Sequence, residues 1–319
     1  MYKVLALPGS KHLRMTIAWH RFAFLMNRYY LAALAAFVIW GFFALILKPM
    51  AIYPSSDILF YRVLMAALLM ALGVLFSGDL LARNLGILKN LSASERKRSL
   101  LLTLSGGALL TANWYFFIFA MNHISIKAAA YAYLICPIIT TVLAYFFLKE
   151  KLKLHQWLAV LLSVVSCGIL AFGHWVDLFY SLIVAFSYAF YLITQRKNVH
   201  LERFFVLACQ LIFSALLLIV LSVPMGVAWY ASPSFFGNIF LIALGFTILP
   251  LWLNLYALKG LSSSVMGMLL YINPLLSFLV ASLVFHEPAS QLQLVAYAVI
   301  FLSVLIFNAG IYLIKPKAT

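Results

Sequence analysis

A succession of long apolar runs constrains this chain more than any other feature of its sequence. A helix of about 20 mainly apolar residues crosses the hydrocarbon core of a bilayer. Hydrophobic side chains make up 66% of the 319 residues and charged ones 9%, whereas a soluble domain has roughly 45–50% apolar residues. We therefore predict an all-α integral membrane protein with ten transmembrane helices. They lie at about 30–48, 57–76, 100–121, 127–147, 155–172, 175–194, 203–221, 235–257, 262–285 and 291–314.

The distribution of positive charge predicts how these helices are oriented. The chain has a net charge of +15, from 22 Lys and Arg against 7 Asp and Glu. Loops that face the cytoplasm carry most of the Lys and Arg of a membrane protein. With the N-terminus inside, 19 of the 22 basic residues fall in inner segments, two (Lys48 and Lys127) in outer loops and one (Arg62) within a span. We therefore expect both termini in the cytoplasm, and the basic excess does not indicate a nucleic-acid partner.

Residues 1–28 are basic and contain no uninterrupted apolar core, so they do not resemble a cleavable signal peptide. We interpret them as a cytoplasmic tail, or as a stretch that precedes a true translation start at Met15 or Met26. Mass spectrometry of the N-terminal peptide distinguishes these two interpretations.

An internal repeat divides the predicted helices into two groups of five. A shift of 137 residues places Pro137 on Pro274 and Glu150 on Glu287 without a gap. The predicted repeats are residues 29–173 and 174–315. Because each repeat has an odd number of spans, the second copy is inverted relative to the first. Inverted repeats are common in secondary transporters, whose substrate sites lie near the middle of the membrane between the halves.

Several segments resemble one family of such transporters. The segment TANWYFFIFAMNHISIKAAAYAYLICPIITTVLAYFFLKEKLKLHQWLAV (111–160), with WGFFALILKP (40–49) and DILFYRVL (57–64), is similar to the RarD-type permeases. These carry paired EamA repeats and belong to the drug/metabolite transporter superfamily. The resemblance covers about residues 29–315. It implies a ten-helix permease of the bacterial inner membrane that exports or imports small metabolites or drugs.

Arg62 is the charged residue that falls inside a predicted span, close to its outer end and to Asp57. An ionisable side chain at such a depth costs several kcal/mol unless it faces the helix bundle or water. We interpret Arg62 as a candidate site for a substrate carboxylate or phosphate. The alternative is a structural anchor that pairs with Asp57 or extends towards the membrane surface.

Two prolines occupy equivalent positions in the middle of predicted spans. A proline inside a helix leaves the carbonyl four residues earlier without its usual N–H partner. Pro137 and Pro274 would free the carbonyls of Tyr133 and Leu270 in this way. We therefore predict Pro137 and Pro274 as hinges, although proline is also common in membrane helices without such a role.

Aromatic and amide side chains deep in the spans are candidates for the walls of a substrate cavity. Tyr133 shares a helix face with Pro137, and Tyr271 shares one with Pro274, whereas Asn273 points away from that face and would bond a neighbouring helix. Asn113 needs a polar partner in a dry environment, and Trp114 offers a flat surface to an aromatic or cationic ligand. Each could equally be core packing. Weaker candidates of the same kind are Trp40 and Asn254, with Trp252 and Tyr256.

The pattern of reactive residues does not indicate an enzyme, a metal site or a cofactor. The histidines are scattered without ligand spacing, and no phosphate-binding loop motif is present. No Asp or Glu lies deep in a predicted span, and we expect Glu150 and Glu287 to cap or end helices, which favours a neutral, zwitterionic or anionic substrate. We predict a permease that works by alternating access through a central cavity, in the direction of export, with a small-molecule substrate, membrane lipids and, as a candidate partner, a second copy of the chain. The alternative is a flippase-like lipid-handling protein that uses the same bundle.

Overall fold

The computed structural model describes residues 28–120, 126–171, 175–230, 232–286 and 288–312. Across these residues the regular secondary structure is helical and no β-strand occurs. Most of the predicted N-terminal tail, including Met15 and Met26, lies outside them, as does Glu287. The helices are α1 (Arg28–Gly41), α2 (Phe43–Leu47), α3 (Ser55–Phe76), α4 (Asp79–Asn90), α5 (Ala93–Phe119), α6 (Ile126–Leu148), α7 (Leu154–Ala171), α8 (Trp175–Lys197), α9 (Arg203–Leu221), α10 (Pro233–Leu241), α11 (Leu249–Ala257), α12 (Ser263–Leu269), α13 (Ile272–Leu283) and α14 (Gln291–Tyr312).

Seven helical segments within the described ranges are long and apolar enough to cross a membrane, as expected of a multi-pass membrane protein. α6 and α7 add shorter apolar stretches, Ala132–Leu148 and Leu154–Leu170, and α8 coincides with the sixth predicted span. The all-helical class is confirmed, whereas the count of ten spans stays a prediction. The seven segments are Arg28–Met50, Ser55–Phe76, Ala93–Phe119, Arg203–Leu221, Pro233–Ala257, Ser263–Leu283 and Gln291–Ala309.

Several of these segments are interrupted rather than continuous α-helices. The segment Pro233–Ala257 passes from α10 to α11 through a π-helical turn, Ile242–Ile248, which precedes Pro250. The segment Ser263–Leu283 breaks between α12 and α13, just before Pro274. A proline removes an i→i−4 hydrogen bond and its ring clashes with the preceding turn, which explains both irregularities. Pro137, by contrast, lies within α6 without interrupting it.

α4 is a helix that the sequence analysis did not predict. Leu81 and Leu85 on its surface are exposed, but Asn84 is fully buried. The Asn84 side chain donates to the carbonyl of Leu80 (2.8 Å) and accepts from the backbone N–H of Glu202 (2.9 Å). Arg83 donates to the Glu202 carboxylate at 3.0 Å, and this hydrogen bond raises the pKa of Arg83. α4 is thereby joined to the start of α9.

The Asn84→Ala substitution is expected to loosen α4 while leaving the spans intact. It removes the buried acceptor of the Glu202 N–H, at a cost of about 1–3 kcal/mol. Hydrogen–deuterium exchange should show faster exchange over residues 79–90 and unchanged exchange in α3 and α9. Asn90→Ala, at the exposed end of the same helix, is the matched control and should leave the exchange rates of all three segments unchanged. Unchanged protection of α4 in Asn84→Ala would contradict this anchoring role.

Small residues lie at two of the crossings between helices that the sequence assigns to different repeats. In the α7–α14 pair the hydroxyls of Ser163 and Ser303 lie 2.9 Å apart, and Ser166 donates to the carbonyl of Ala296 at 2.8 Å. In the α6–α12 pair a Cβ added to Gly267 would lie 2.9 Å from the Cβ of Thr140. Small residues at these crossings allow close helix approach, which favours association inside a membrane.

Lys149 and His286 share an uncommon backbone conformation. Their φ angles are +54° and +52°, a region that residues other than glycine rarely adopt. Lys149 follows the last residue of α6, and His286 lies three residues beyond the end of α13. The two positions differ by the same 137-residue offset that aligns Pro137 with Pro274. This local match supports the internal duplication inferred from the sequence.

Candidate functional site

A cavity of about 270 Å³ lies among helices from both parts of the chain. Seven of its seventeen lining residues are aromatic, so its walls are largely flat and apolar. Arg62 is the charged member of the lining, and none of the lining residues is acidic. The lining consists of Trp40, Phe43, Ala44, Leu47, Arg62, Leu110, Asn113, Trp114, Phe117, Tyr133, Tyr188, Phe246, Thr247, Leu251, Leu270, Asn273 and Ser277.

Prolines shape this cavity through the residues that precede them. Pro137, Pro250 and Pro274 each lie four positions after a lining residue, namely Tyr133, Phe246 and Leu270. These are the residues whose carbonyls a helix-interior proline deprives of their usual partner. The carbonyl of Phe246 accepts a hydrogen bond from the indole N–H of Trp40 at 3.0 Å, and that of Leu270 from the N–H of Asn273 at 3.1 Å. The sequence analysis missed Pro250, although a third proline within an apolar span was a visible signal.

Arg62 projects from α3 into the cavity and lies against aromatic rings. Its Cζ is 5.2 Å from the ring centroid of Trp114 and 5.9 Å from that of Phe43. Its Nε is buried and has no hydrogen-bond partner among the residues that the structure describes. Cation–π contacts compensate part of the lost hydration, but a buried guanidinium is stabilised fully when it is hydrogen-bonded to an anion.

Asp57, the predicted alternative partner of Arg62, is engaged elsewhere. It is fully buried at the start of α3 and accepts a hydrogen bond from the hydroxyl of Tyr230 at 2.5 Å. This hydrogen bond, together with burial, raises the pKa of Tyr230 to about 12. Ser56 donates a second hydrogen bond to Asp57 at 3.2 Å. Among the described residues, therefore, no acidic group neutralises Arg62.

Three of the predicted residues, Asn113, Trp114 and Trp40, line the cavity together, but two of them have polar groups that are already bonded. The amide of Asn113 donates to the carbonyl of Val184 (2.9 Å) and to the hydroxyl of Ser187 (3.3 Å) on α8. The N–H of Trp40 is bonded to Phe246. All three side chains therefore lie at the cavity, but the N–H groups of Asn113 and Trp40 are used in hydrogen bonds to neighbouring helices.

The two predicted tyrosines occupy different places. Tyr133 lines the cavity close enough to Arg62 for an electrostatic interaction. Tyr271 is fully buried in a separate cluster, where its hydroxyl lies 4.0 Å from the sulfur of Cys167. Asn273, which the sequence placed away from the cavity, is a lining residue instead. The projection assumed one straight helix, whereas the chain breaks between α12 and α13 and redirects the residues that follow.

Asn254, the remaining predicted residue, lies behind the cavity wall. Its side-chain amide donates to the hydroxyl of Tyr188 at 3.0 Å, and Tyr188 is itself a lining residue. Asn254 therefore orients a tyrosine of the wall. Sequence analysis did not single out Tyr188, because its role depends on this partner 66 residues away in the chain.

Contacts between distant parts of the chain occur at both ends of the bundle. At one end, called here the Glu150 end, the Glu150 carboxylate accepts from the backbone N–H groups of Ser263 (2.8 Å) and Ser264 (3.0 Å) and from the Ser264 hydroxyl (2.6 Å). The opposite end, called the Asp57 end, carries the Asp57–Tyr230 bond. The ammonium of Lys48 lies 3.6 Å from the ring centroid of Phe285 at that same end. The cavity lies in the half nearer the Asp57 end, because Leu47, Arg62 and Phe117 all belong to that half of their spans.

Comparison with known families assigns this fold to a class of transporters. The sequence matches the EamA-like transporter family twice, over residues 27–172 and 175–309. The chain therefore belongs to the EamA-like transporter family. Relatives of the chain are named transporters, which supports a membrane permease for small molecules.

Individual relatives agree with this assignment. The chain is 33% identical to the protein RarD of Escherichia coli (strain K12) over 288 residues, which cover 87% of this chain and 92% of that protein. It is 27% identical over 156 residues to the S-adenosylmethionine uptake transporter of Rickettsia bellii, covering 47% of this chain and 53% of the other. A protein of known crystal structure superposes with a TM-score of 0.71 at 15% identity, covering 88% of this chain and 96% of the other. This last likeness shows a shared fold.

Proposed function

We propose that this permease carries a small metabolite or drug across the inner membrane by alternating access, with its binding site in the Arg62 cavity. The observation that carries this proposal is a buried cation that has no acidic partner in the described part of the chain, inside a cavity that both family matches help to line. A charge in that position is costly to the empty protein. Binding of a substrate would offset that cost.

The proposed orientation places the Glu150 end in the cytoplasm and the Asp57 end outside. The excess of Lys and Arg in the segments assigned to the Glu150 end supports this orientation. The cavity then lies in the outer half of the membrane, and the hydrogen bonds of Glu150 close the inner half. Residues 29–173 and 174–315 would act as the two inverted repeats, moving against each other so that the cavity faces each side in turn.

Export is tested by comparing the metabolites that bacteria release. Cells that produce the wild-type protein, or Arg62→Ala at equal membrane abundance, would be compared with cells that carry an empty vector by untargeted mass spectrometry of the medium. We expect at least one small molecule to accumulate outside the wild-type cells alone. A change confined to the leaflet distribution of lipids would instead favour lipid flipping and would contradict the proposed permease.

The Glu150→Gln substitution is expected to open the cytoplasmic end. The carboxylate accepts three hydrogen bonds from the start of α12, and bonds to a charged group contribute about 1.5–3 kcal/mol. Losing one of them should shift the ratio of the two conformations by roughly tenfold or more, since 1.4 kcal/mol corresponds to a factor of ten. Electron–electron distance measurements between nitroxide labels at positions 151 and 259 should show a larger population at long distance.

The matched control for this variant is Glu95→Gln. Glu95 also caps a helix start, but its carboxylate bonds Ser92 within the same helix end and connects no distant segments. Its distance distribution should equal that of the wild type. If Glu150→Gln also leaves the distribution unchanged, the Glu150 contact is not a gate and the inner closure must lie elsewhere.

A further inference from the structure

We propose that the cargo of the Arg62 cavity is a small planar carboxylate: an aromatic ring that bears a single carboxylate and no ammonium group. This inference rests on the proposed function and adds the chemical class of the substrate. It follows from the charge of the cavity, from its remaining hydrogen-bonding groups and from the shape of its walls.

The charge of the lining selects an anion. Arg62 is the sole ionised side chain among the lining residues, and its Nε lacks a partner within the described ranges. An anion beside it forms a charge-assisted hydrogen bond and neutralises a charge that burial has removed from water. The faces of Trp114 and Phe43 would attract a cationic drug, but the guanidinium of Arg62 already lies over them. A second cation would meet this guanidinium without any lining carboxylate to compensate.

The acceptors of the cavity disfavour an ammonium group on the cargo. Carbonyls freed by prolines would be the natural partners of an ammonium, as unwound backbone is for cations in other transporters. The Phe246 carbonyl is occupied by Trp40 and the Leu270 carbonyl by the N–H of Asn273. The side-chain oxygen of Asn273 accepts from Ser277 at 3.3 Å. An amino acid would therefore bring a second charge into a site where two of the three carbonyls freed by prolines are already engaged.

The walls favour a flat and small body. The rings of Phe43 and Phe246 lie 5.5 Å apart, and those of Trp40 and Tyr188 lie 6.4 Å apart. Offset stacking and edge-to-face contacts with such rings stabilise an aromatic guest beyond its apolar area. A volume of about 270 Å³ is below the ~300–1,000 Å³ of pockets for drug-sized ligands. The cavity therefore fits a single aromatic ring better than a fused polycyclic drug.

The test uses hydrocinnamate and four probes that each differ from it by one chemical change. Purified protein in lipid nanodiscs would be titrated with hydrocinnamate, its neutral amide hydrocinnamamide, the non-planar acid cyclohexanepropanoate, the zwitterion phenylalanine and the cation phenylpropylamine. The intrinsic fluorescence of the tryptophans and the thermal stability of the protein report binding. We expect the Kd of hydrocinnamate to be at least tenfold lower than that of each other probe.

Two variants test which side chain is responsible for each binding preference. In Arg62→Gln, the acid and its amide should bind equally, because the charge that distinguishes them is gone. In Trp114→Leu, the preference for hydrocinnamate over cyclohexanepropanoate should become smaller, because one of the seven aromatic side chains of the lining is lost, while the preference for acid over amide persists. Trp114→Leu keeps the assignment testable if Arg62→Gln cannot be purified.

Several outcomes would overturn the inference. Binding of phenylalanine within threefold of hydrocinnamate would show that an ammonium is accepted, and tighter binding of the amine would reverse the charge assignment. Absence of binding by all five probes to folded wild-type protein would also reject this substrate class. The label distances at positions 151 and 259 are measured without a probe, so they can support alternating access even when the substrate class fails.

Discussion

We expect Arg62→Gln to abolish measurable transport while leaving the protein as stable as the wild type, or more stable. The variant removes the charge that would bind the substrate anion, and truncating one partner of a buried charge pair costs about 3 kcal/mol or more. That loss corresponds to a decrease of roughly 100-fold in affinity. The empty protein, by contrast, loses a buried cation whose Nε has no hydrogen-bond partner. The substitution is therefore expected to lower the affinity for substrate while leaving the stability of the empty protein unchanged or higher.

Export of the metabolite found for the wild type and the melting temperature of the purified variant measure these two effects. Arg83→Gln is the matched control, because it removes an arginine that forms an exposed pair with Glu202 outside the cavity. Surface pairs of this kind contribute ~0–1 kcal/mol, so both readouts should stay close to wild type. A clear loss of stability in Arg62→Gln would indicate that Arg62 is a structural anchor, the alternative that the sequence left open.

The sequence predicted the class of fold and the main character of the cavity because both depend on local composition. Apolar length identifies a membrane helix without knowledge of its neighbours. Arg62, Trp114 and Tyr133 stood out as charged or aromatic residues inside spans, and the structure brings all three to one cavity. Their role in binding stays a prediction.

Features that depend on distant partners or on irregular backbone could not be predicted in the same way. The partners of Asn113 and Asn254 lie on α8, more than sixty residues away in the chain. Tyr271 and Asn273 exchange their expected places because the helix breaks just before them, and a projection onto an ideal helix cannot represent that break. α4 escaped prediction because it is short and lies between two spans.

Gly106 is a position where one added methyl group is expected to destabilise the fold strongly, because the atoms that it meets belong to a buried polar pair. A Cβ at Gly106 would lie 2.3 Å from the side-chain nitrogens of both Gln195 and Gln210. Both glutamines are fully buried; Gln195 donates to the carbonyl of Leu102 at 3.1 Å, and Gln210 donates to Gln195 at 2.7 Å. Gly106→Ala would displace both side chains and separate α5 from α8 and α9.

The expected cost of Gly106→Ala combines overpacking, about 1–3 kcal/mol, with unsatisfied buried polar groups, about 1–3 kcal/mol each. The higher helix propensity of alanine offsets no more than ~1 kcal/mol of this destabilisation. The net loss should be several kcal/mol, seen as a lower unfolding midpoint in detergent and less monodisperse protein in size-exclusion chromatography. Gly168→Ala in α7 is the control, because a Cβ there meets nothing within 4 Å. It should be neutral or slightly stabilising, so equal behaviour of the two variants would show that the Gln195–Gln210 contact can rearrange and does not require glycine at position 106.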